Sequence, residues 1–160
     1  DYVRACHLLQ GRGTYEVYLF GGGAELLKTL KLADDLGLEY AYLGRKTWEA
    51  SRSEFARMGI GVMPMRADTA KYVCAPMKLL DYAACGLPVV AAHTGPWADV
   101  IEEYGFGVTV APESPEAIAD AIPQFEDRDR WEACSRAGVE YIREKASWEK
   151  VLGALAVIRR

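Results

Sequence analysis

The chain has 160 residues, 51% hydrophobic and 26% charged, with a net charge of −4, a balance that suits one soluble globular domain with a substantial core. Basic residues are scattered, and Arg45-Lys46 and Arg159-Arg160 are the only adjacent pairs; without a basic stripe interleaved with aromatics, nucleic acid is not expected as a partner. No apolar run approaches the length of a membrane span, and no signal-peptide pattern opens the chain.

Helical and strand patterns alternate. Tyr2 to Leu9 reads as a helix ended by Gly11-Arg-Gly13, and Tyr15 to Phe20 as a strand closed by Gly21-Gly-Gly23. Ala24 to Leu36 is a predicted helix with Leu26, Leu27, Leu30 and Ala33 on one side, stopped by Gly37. Leu38 to Leu43 is the second strand. Thr47 can cap a helix running to Met58. Ile60 to Pro64 is the third strand, and Met65 to Ala75 a long loop without periodicity.

Pro76 to Cys85 then reads as a helix and Leu87 to Ala92 as a short, apolar, fully buried strand. Thr94-Gly-Pro96 leads into a short helix through Ile101, and Phe106 to Val110 is the fifth strand. Ser114-Pro-Glu116 is a helix start, with a cap, a proline and an acid in order. Pro123 ends or kinks that helix. Arg128 to Lys145 is another helix, and Ser147 caps a last one whose Trp148, Val151, Leu152 and Leu155 share a face.

Strands separated by helices of this length imply parallel βαβ units. The predicted class is α/β, a doubly wound, mostly parallel five-stranded sheet with helices on both faces, in one domain. Ligands in such folds bind at the carboxyl ends of the strands. Gly21–Gly23, Gly44–Lys46, Met65–Ala75 and Ala92–Pro96 lie on that rim.

The stretch from Cys74 to His93 carries the most chemistry. Pro76 suits the first helical position and Gly86 the residue just past the helix end, where φ > 0 is wanted. Lys78 puts a cation in the first turn, beside a helix end that already carries partial positive charge. That placement makes sense if an anion sits there, since bare N–H groups plus an ammonium form a phosphate site. Asp81, one turn on, can accept hydrogen bonds from hydroxyls, and the two grips together suggest a sugar nucleotide. The plainer reading of Lys78 and Asp81 is a solvated i,i+3 surface pair.

Cys6, Cys74, Cys85 and Cys134 have no C-x-x-C spacing and read as free thiols in a reducing compartment, the cytoplasm. His7 and His93 are too few and too far apart for a metal site, and no cofactor is expected. The chain contains no asparagine, hence no N-glycosylation acceptor. It starts at Asp1, which suggests a piece of a longer protein.

Pro76-Met-Lys-Leu-Leu-Asp81 and Tyr82-Ala-Ala-Cys-Gly-Leu-Pro-Val-Val90 resemble the P-x-K-x-x-E-Y-x-A-x-G-x-P-V-V signature of GT-B glycosyltransferases. Thr94-Gly-Pro-Trp-Ala-Asp-Val-Ile101 resembles the family's G-G-x-x-E-x-I turn, Gly105-Phe-Gly-Val108 its following strand, and Ala146-Ser-Trp148 the F-S-W of its last helix. The set marks the C-terminal, Rossmann-like half of a two-domain enzyme, the half that binds the nucleotide-sugar donor. Met77-Lys78 and Val62-Met-Pro-Met65 most resemble the glucuronosyltransferases of xanthan-type polysaccharide assembly.

The resemblance implies that Lys78 and the N–H groups near Pro76 and Met77 grip the diphosphate. Asp81 stands where the family has a ribose-binding Glu, one methylene longer. Arg45, with Gly44, matches the loop that holds the base, with uracil the weakly preferred one, and Met65 and Tyr72 border the donor. It further implies an N-terminal half that supplies the acceptor site and catalytic base, a glycan or lipid-linked acceptor, and peripheral placement at the inner membrane surface. No catalytic base is expected in this chain, which by itself should bind donor weakly and transfer nothing.

Two positions depart from the pattern. The retaining branch carries two acids eight residues apart, and Val73 stands at the first. The family's half-domain also opens with a central strand, and none precedes Tyr2, so a gap is expected in the middle of the sheet. Rival readings are a sugar-nucleotide epimerase of the same fold and a receiver-type module with Asp68 as phosphoacceptor. A nicotinamide enzyme would need glycine at Leu26, and a phosphate-loop hydrolase would need a longer glycine loop before Gly44-Arg-Lys-Thr47.

Overall fold

The computed structural model describes residues 1–68, 76–147 and 149–150. Helices and short strands alternate along them: α1 (Tyr2–Gln10), β1 (Tyr18–Leu19), α2 (Leu26–Asp35), β2 (Ala41–Tyr42), α3 (Trp48–Phe55), β3 (Gly61–Met63), α4 (Met77–Ala84), β4 (Val89–Ala92), α5 (Pro96–Tyr104), β5 (Gly107–Val110), α6 (Pro115–Ala121) and α7 (Arg128–Tyr141). Every strand pair is parallel, so the class is the α/β one that the alternation implied.

The five strands divide into two sheets, β1–β2 and β3–β4–β5. The five-stranded arrangement is therefore interrupted, at the gap in its middle that the sequence led one to expect. Among the described residues no strand lies between β1 and β3, so each has a ladder on one edge only.

The three-stranded sheet is sandwiched by helices. Alternate residues of β4 point to opposite faces. Val90 joins a cluster with Ala5 and Leu9 of α1 and with Ile118, Ile122 and Phe125. Val89 and Ala91 join Leu79 and Ala83 of α4 and Trp97, Ala98 and Ile101 of α5. All four β4 residues are buried, which is why Val89 to Ala92 reads as an unbroken apolar run. A third cluster, Val3, Cys6, Val17, Leu19, Ala33 and Leu38, ties α1 to β1 and α2. Helix α1 thus packs into the cores of both sheets.

Local chemistry sets the helix ends. Thr47 Oγ1 accepts from the Ala50 N–H at the start of α3, and Ser114 Oγ accepts from the Ala117 N–H at the start of α6. Pro123 lies within the 3-10 segment Ile122–Phe125 that follows α6, consistent with the lost N–H. Helix α4 closes with the Leu87 N–H on the Tyr82 carbonyl and the Gly86 N–H on the Ala83 carbonyl, a paired closure with Gly86 at φ 72°.

Two details differ from the sequence reading. Pro76 is the cap rather than the first helical residue, with extended backbone at ψ 113°. Leu27 does not share the buried side of α2; it is 79% exposed while Ala33 is buried, because at about 100° per residue it stands roughly a third of the way round the helix from Ala33. Tyr72, Val73, Cys74, Trp148, Val151, Leu152 and Leu155 lie outside the described residues. The three remaining cysteines are free thiols, and burial pushes Cys6 up to about 11. No helix among the described residues is long and apolar enough to cross a membrane.

Candidate donor site at the carboxyl rim

Helix α4 is held by its buried side. Leu79 and Ala83 sit in the core, and the Tyr82 ring lies so close over Gly61 that a Cβ at residue 61 would overlap it. Phe20, Phe55 and Tyr82 form a chain of edge-to-face rings with centroids 5.5 and 5.3 Å apart. That chain links the end of β1, through α3, to α4.

This packing leaves Met77, Lys78 and Asp81 for other uses. Met77 is 61% exposed at the head of the helix. The cap residue Pro76 gives α4 no side-chain bond and no acid lies in its first turn; the Leu79 N–H donates to the Pro76 carbonyl, and no charge within the helix offsets its positive end.

Lys78 reaches the surface, yet protein crowds its ammonium, and desolvation lowers its pKa. Among the described residues it makes no ion pair. Asp81 is partly buried and its carboxyl is pushed up by desolvation. The two do not pair with each other, so the solvated surface pair is not formed. Both carry a desolvation cost that no neighbour offsets, as perturbed groups at ligand sites commonly do. Tyr82 is raised by burial and, secondarily, by the Asp81 charge.

The adjacent loops of the two-stranded sheet meet each other. The Gly21 N–H donates to the Gly44 carbonyl at 2.9 Å, and the Tyr42 hydroxyl donates to the Gly21 carbonyl at 2.7 Å. A Cβ at residue 22 would stand 3.0 Å from Arg45 Cδ, so the glycine run gives the Arg45 stem its bed. Arg45 is exposed. Its neighbour Lys46 is spent on Glu54 at 3.1 Å, whereas Arg45 makes no ion pair among the described residues.

The structure groups Pro76, Met77, Lys78 and Asp81 on α4 and packs Met65 against the same cluster as Leu79. Arg45 stands apart on the loop after β2. Asp68, the receiver-type candidate, is ion-paired with Arg66 at 3.3 Å. His93, past β4, contacts Thr109 at 3.2 Å and lies 3.6 Å from Asp99 and 3.8 Å from Glu102. Thr109 also donates to Glu102.

Sequence reasoning missed Thr94 and Trp97. Thr94 Oγ1 and Trp97 Nε1 are buried without hydrogen-bond partners among the described residues where the chain passes from β4 into α5, whose cap residue Gly95 contributes no side chain. Unsatisfied polar atoms on the rim are places where a ligand can supply the missing bond. The pattern Thr94-Gly-Pro-Trp97 carried that signal only as a turn.

A sandwich of parallel strands and helices in this order has the architecture of the C-terminal domain of GT-B glycosyltransferases. The chain belongs to the group 1 glycosyl transferases, whose family pattern matches residues 2–127.

It is 27% identical over 143 residues to a Mycobacterium tuberculosis protein named GDP-mannose-dependent alpha-(1-6)-phosphatidylinositol monomannoside mannosyltransferase, covering 86% of this chain and 37% of that one. It is 26% identical over 137 residues to sucrose synthase 2 of Pisum sativum, covering 78% and 17%. It therefore spans well under half the length of these relatives. Two solved structures share the fold. Sucrose-phosphate synthase of Thermosynechococcus elongatus has a TM-score of 0.80 at 18% identity, over 99% of this chain and 41% of that one. Anabaena HepE, in complex with UDP and glucose, has a TM-score of 0.79 at 18% identity, over 99% and 44%.

Proposed function

We infer that this chain is the donor-binding domain of a glycosyltransferase that moves a sugar from a nucleoside diphosphate sugar to a glycan or lipid-linked acceptor. The observation that carries this reading is Lys78, an ammonium desolvated by burial and without an ion pair among the described residues, in the first turn of a helix whose cap residue Pro76 offers no side-chain bond. A diphosphate there gains charge-assisted hydrogen bonds of about 1.5–3 kcal/mol each. It also offsets the desolvation cost of the ammonium.

Transfer needs the departing diphosphate to be stabilised as its bond to the sugar breaks. Lys78 and the α4 N–H groups supply fixed positive potential where that charge develops. Asp81 is suited to the ribose hydroxyls, through a bridging water where its short side chain falls short. Thr94 Oγ1 and Trp97 Nε1 are suited to polar groups of the sugar. Arg45 and the Gly44 backbone are suited to the base. Uridine is the base we propose; the GDP-mannose dependence in one relative's name makes guanosine the natural competitor. The resemblance of Met77-Lys78 and Val62–Met65 to xanthan-type glucuronosyltransferases favours an acidic sugar.

The acceptor site and the base that deprotonates the acceptor hydroxyl are proposed to lie outside these 160 residues, so that the chain alone binds donor and transfers nothing. Cytoplasmic placement, peripheral at the inner membrane surface, belongs to the same proposal.

Thermal shift and calorimetry with UDP, GDP and ADP and their sugars test the reading. Wild type is expected to respond to one base above the others. Lys78→Ala should lose most of that response, and Lys78→Arg should keep part of it. An unchanged response in Lys78→Ala removes Lys78 from the site.

A further inference from the structure

Among the described residues, Glu113 alone, apart from glycines, stands in the left-handed region of the backbone, at φ 56°. It follows Pro112 in the turn that joins β5 to α6. A turn with proline first and positive φ second favours Gly or Asn at the second place, because a Cβ there crowds the neighbouring carbonyl. Nothing in the local chain requires a glutamate. Ser114 and Pro115 start α6 without it, with Ser114 Oγ accepting from the Ala117 N–H.

The carboxylate has a distant use. Glu113 Oε1 lies 3.6 Å from Arg66 Nε, which also lies 3.3 Å from Asp68. Arg66 is three residues past the end of β3, and Glu113 three residues past the end of β5. Strand β4 runs between them in the sheet, so the pair crosses the carboxyl end of β4 and spans two strand spacings, about 10 Å.

Both side chains of the pair are more than half exposed, and exposed ion pairs add little to stability. A left-handed backbone costs a glutamate more than such a pair contributes. Glycine at this position would give the more stable protein, so the glutamate serves something other than stability.

What the pair holds is the segment after β3. There the Met65 N–H folds back onto the Met63 carbonyl at 3.0 Å, and Met65 packs against the cluster that contains Leu79. Leu79 is the residue after Lys78. A path of contacts from Glu113 through Arg66 and Met65 therefore ends in the first turn of α4.

We propose that Glu113 is a positioning residue for the donor site. Through Arg66 it fixes the segment 64–68 and seats Met65 beside the head of α4, and it keeps a strained backbone to do so. The effect on binding rests on the donor reading given above; the tether itself rests on the ion pair and the strain.

The test separates strain from charge in the 160-residue chain. Glu113→Gly removes both, Glu113→Gln keeps the strain and removes the charge, Glu113→Asp keeps the charge, and Arg66→Gln removes the partner. Melting temperature, amide exchange at Met65 and calorimetric affinity for UDP and GDP are read for each. Glu113→Gly should melt about 2 °C higher than wild type. It should nonetheless exchange the Met65 amide about fivefold faster and bind the preferred nucleotide about fivefold more weakly. Glu113→Gln should show the same two losses without the gain in melting temperature, and Glu113→Asp should keep part of the affinity. Glu113→Gln combined with Arg66→Gln should lose no more than either alone.

Wild-type affinity and wild-type Met65 exchange in Glu113→Gly would make the glutamate incidental and overturn the proposal. A lower melting temperature in Glu113→Gly would make the pair a stabilising contact, and additive losses in the double variant would uncouple the two residues; either overturns it. Wild type that binds neither nucleotide would remove the donor reading, and Met65 exchange would then decide the tether by itself.

Discussion

The sheet β3–β4–β5 and the sheet β1–β2 are built from the same kind of unit, yet they differ in cover. Both faces of β4 are packed by helices, and its four residues are buried. Both residues of β2 are exposed, and β1 has a ladder on one edge only. Parallel strands gain their stability when helices close both faces and neighbours close both edges. The two-stranded side has half of each, and is held in place by α1 and by the Phe20–Phe55–Tyr82 ring chain.

Truncating one buried side chain in each region separates them most sharply. Phe106 is 0% exposed and stacks on Tyr141 at 5.2 Å; Phe106→Ala should cost about 3–5 kcal/mol, read from denaturant unfolding. Next in size is the Lys78 site between the regions. Lys78→Met should weaken diphosphate binding by about 1.5–3 kcal/mol, the worth of the charge-assisted contact, while slightly stabilising the unliganded protein at neutral pH.

The sign follows from the lowered pKa of Lys78. The unfolded chain holds that proton more tightly, so the penalty is present below the folded pKa and is relieved as pH rises toward the ordinary lysine value. In wild type, stability should therefore gain on the alkaline side and diphosphate affinity should fall there; Lys78→Met should show neither trend.

Val17→Ala, in the two-stranded region, should cost about 1.5 kcal/mol, the worth of two buried methyl-sized groups. A cost equal to that of Phe106→Ala would show the two regions to be equally well packed. Ser114→Ala removes the cap of α6 and should cost about 1 kcal/mol in the same unfolding measurement. Leu27→Ser, on the exposed turn of α2, should change stability by no more than about 0.5 kcal/mol; a larger loss would mean that this face is covered in solution.

Much of this architecture could be read from residues alone, because the signals are local. Thr47, Ser114 and Gly86 act on the backbone within a turn of themselves, and the apolar run at β4 reports burial on both faces directly. The motif from Pro76 to Val90 located the candidate site for the same reason, since the helix end and its cation are neighbours in sequence. Other features depend on residues far apart in the chain. Nothing near Thr94 and Trp97 says that their polar atoms are left without hydrogen-bond partners among the described residues.

By itself the sequence determined the α/β alternation, the helix ends and the place of α4, all consequences of periodicity and backbone chemistry over a few residues; the family came from the resemblance of its motifs, which the match over residues 2–127 bears out. Tertiary structure alone decided that Lys46 is taken by Glu54 while Lys78 makes no ion pair among the described residues, and it set the gap expected from the sequence so that the five parallel strands stand as two and three. Pairing and desolvation are sums over neighbours brought together by folding, and a sheet edge exists only once every other strand has found its place.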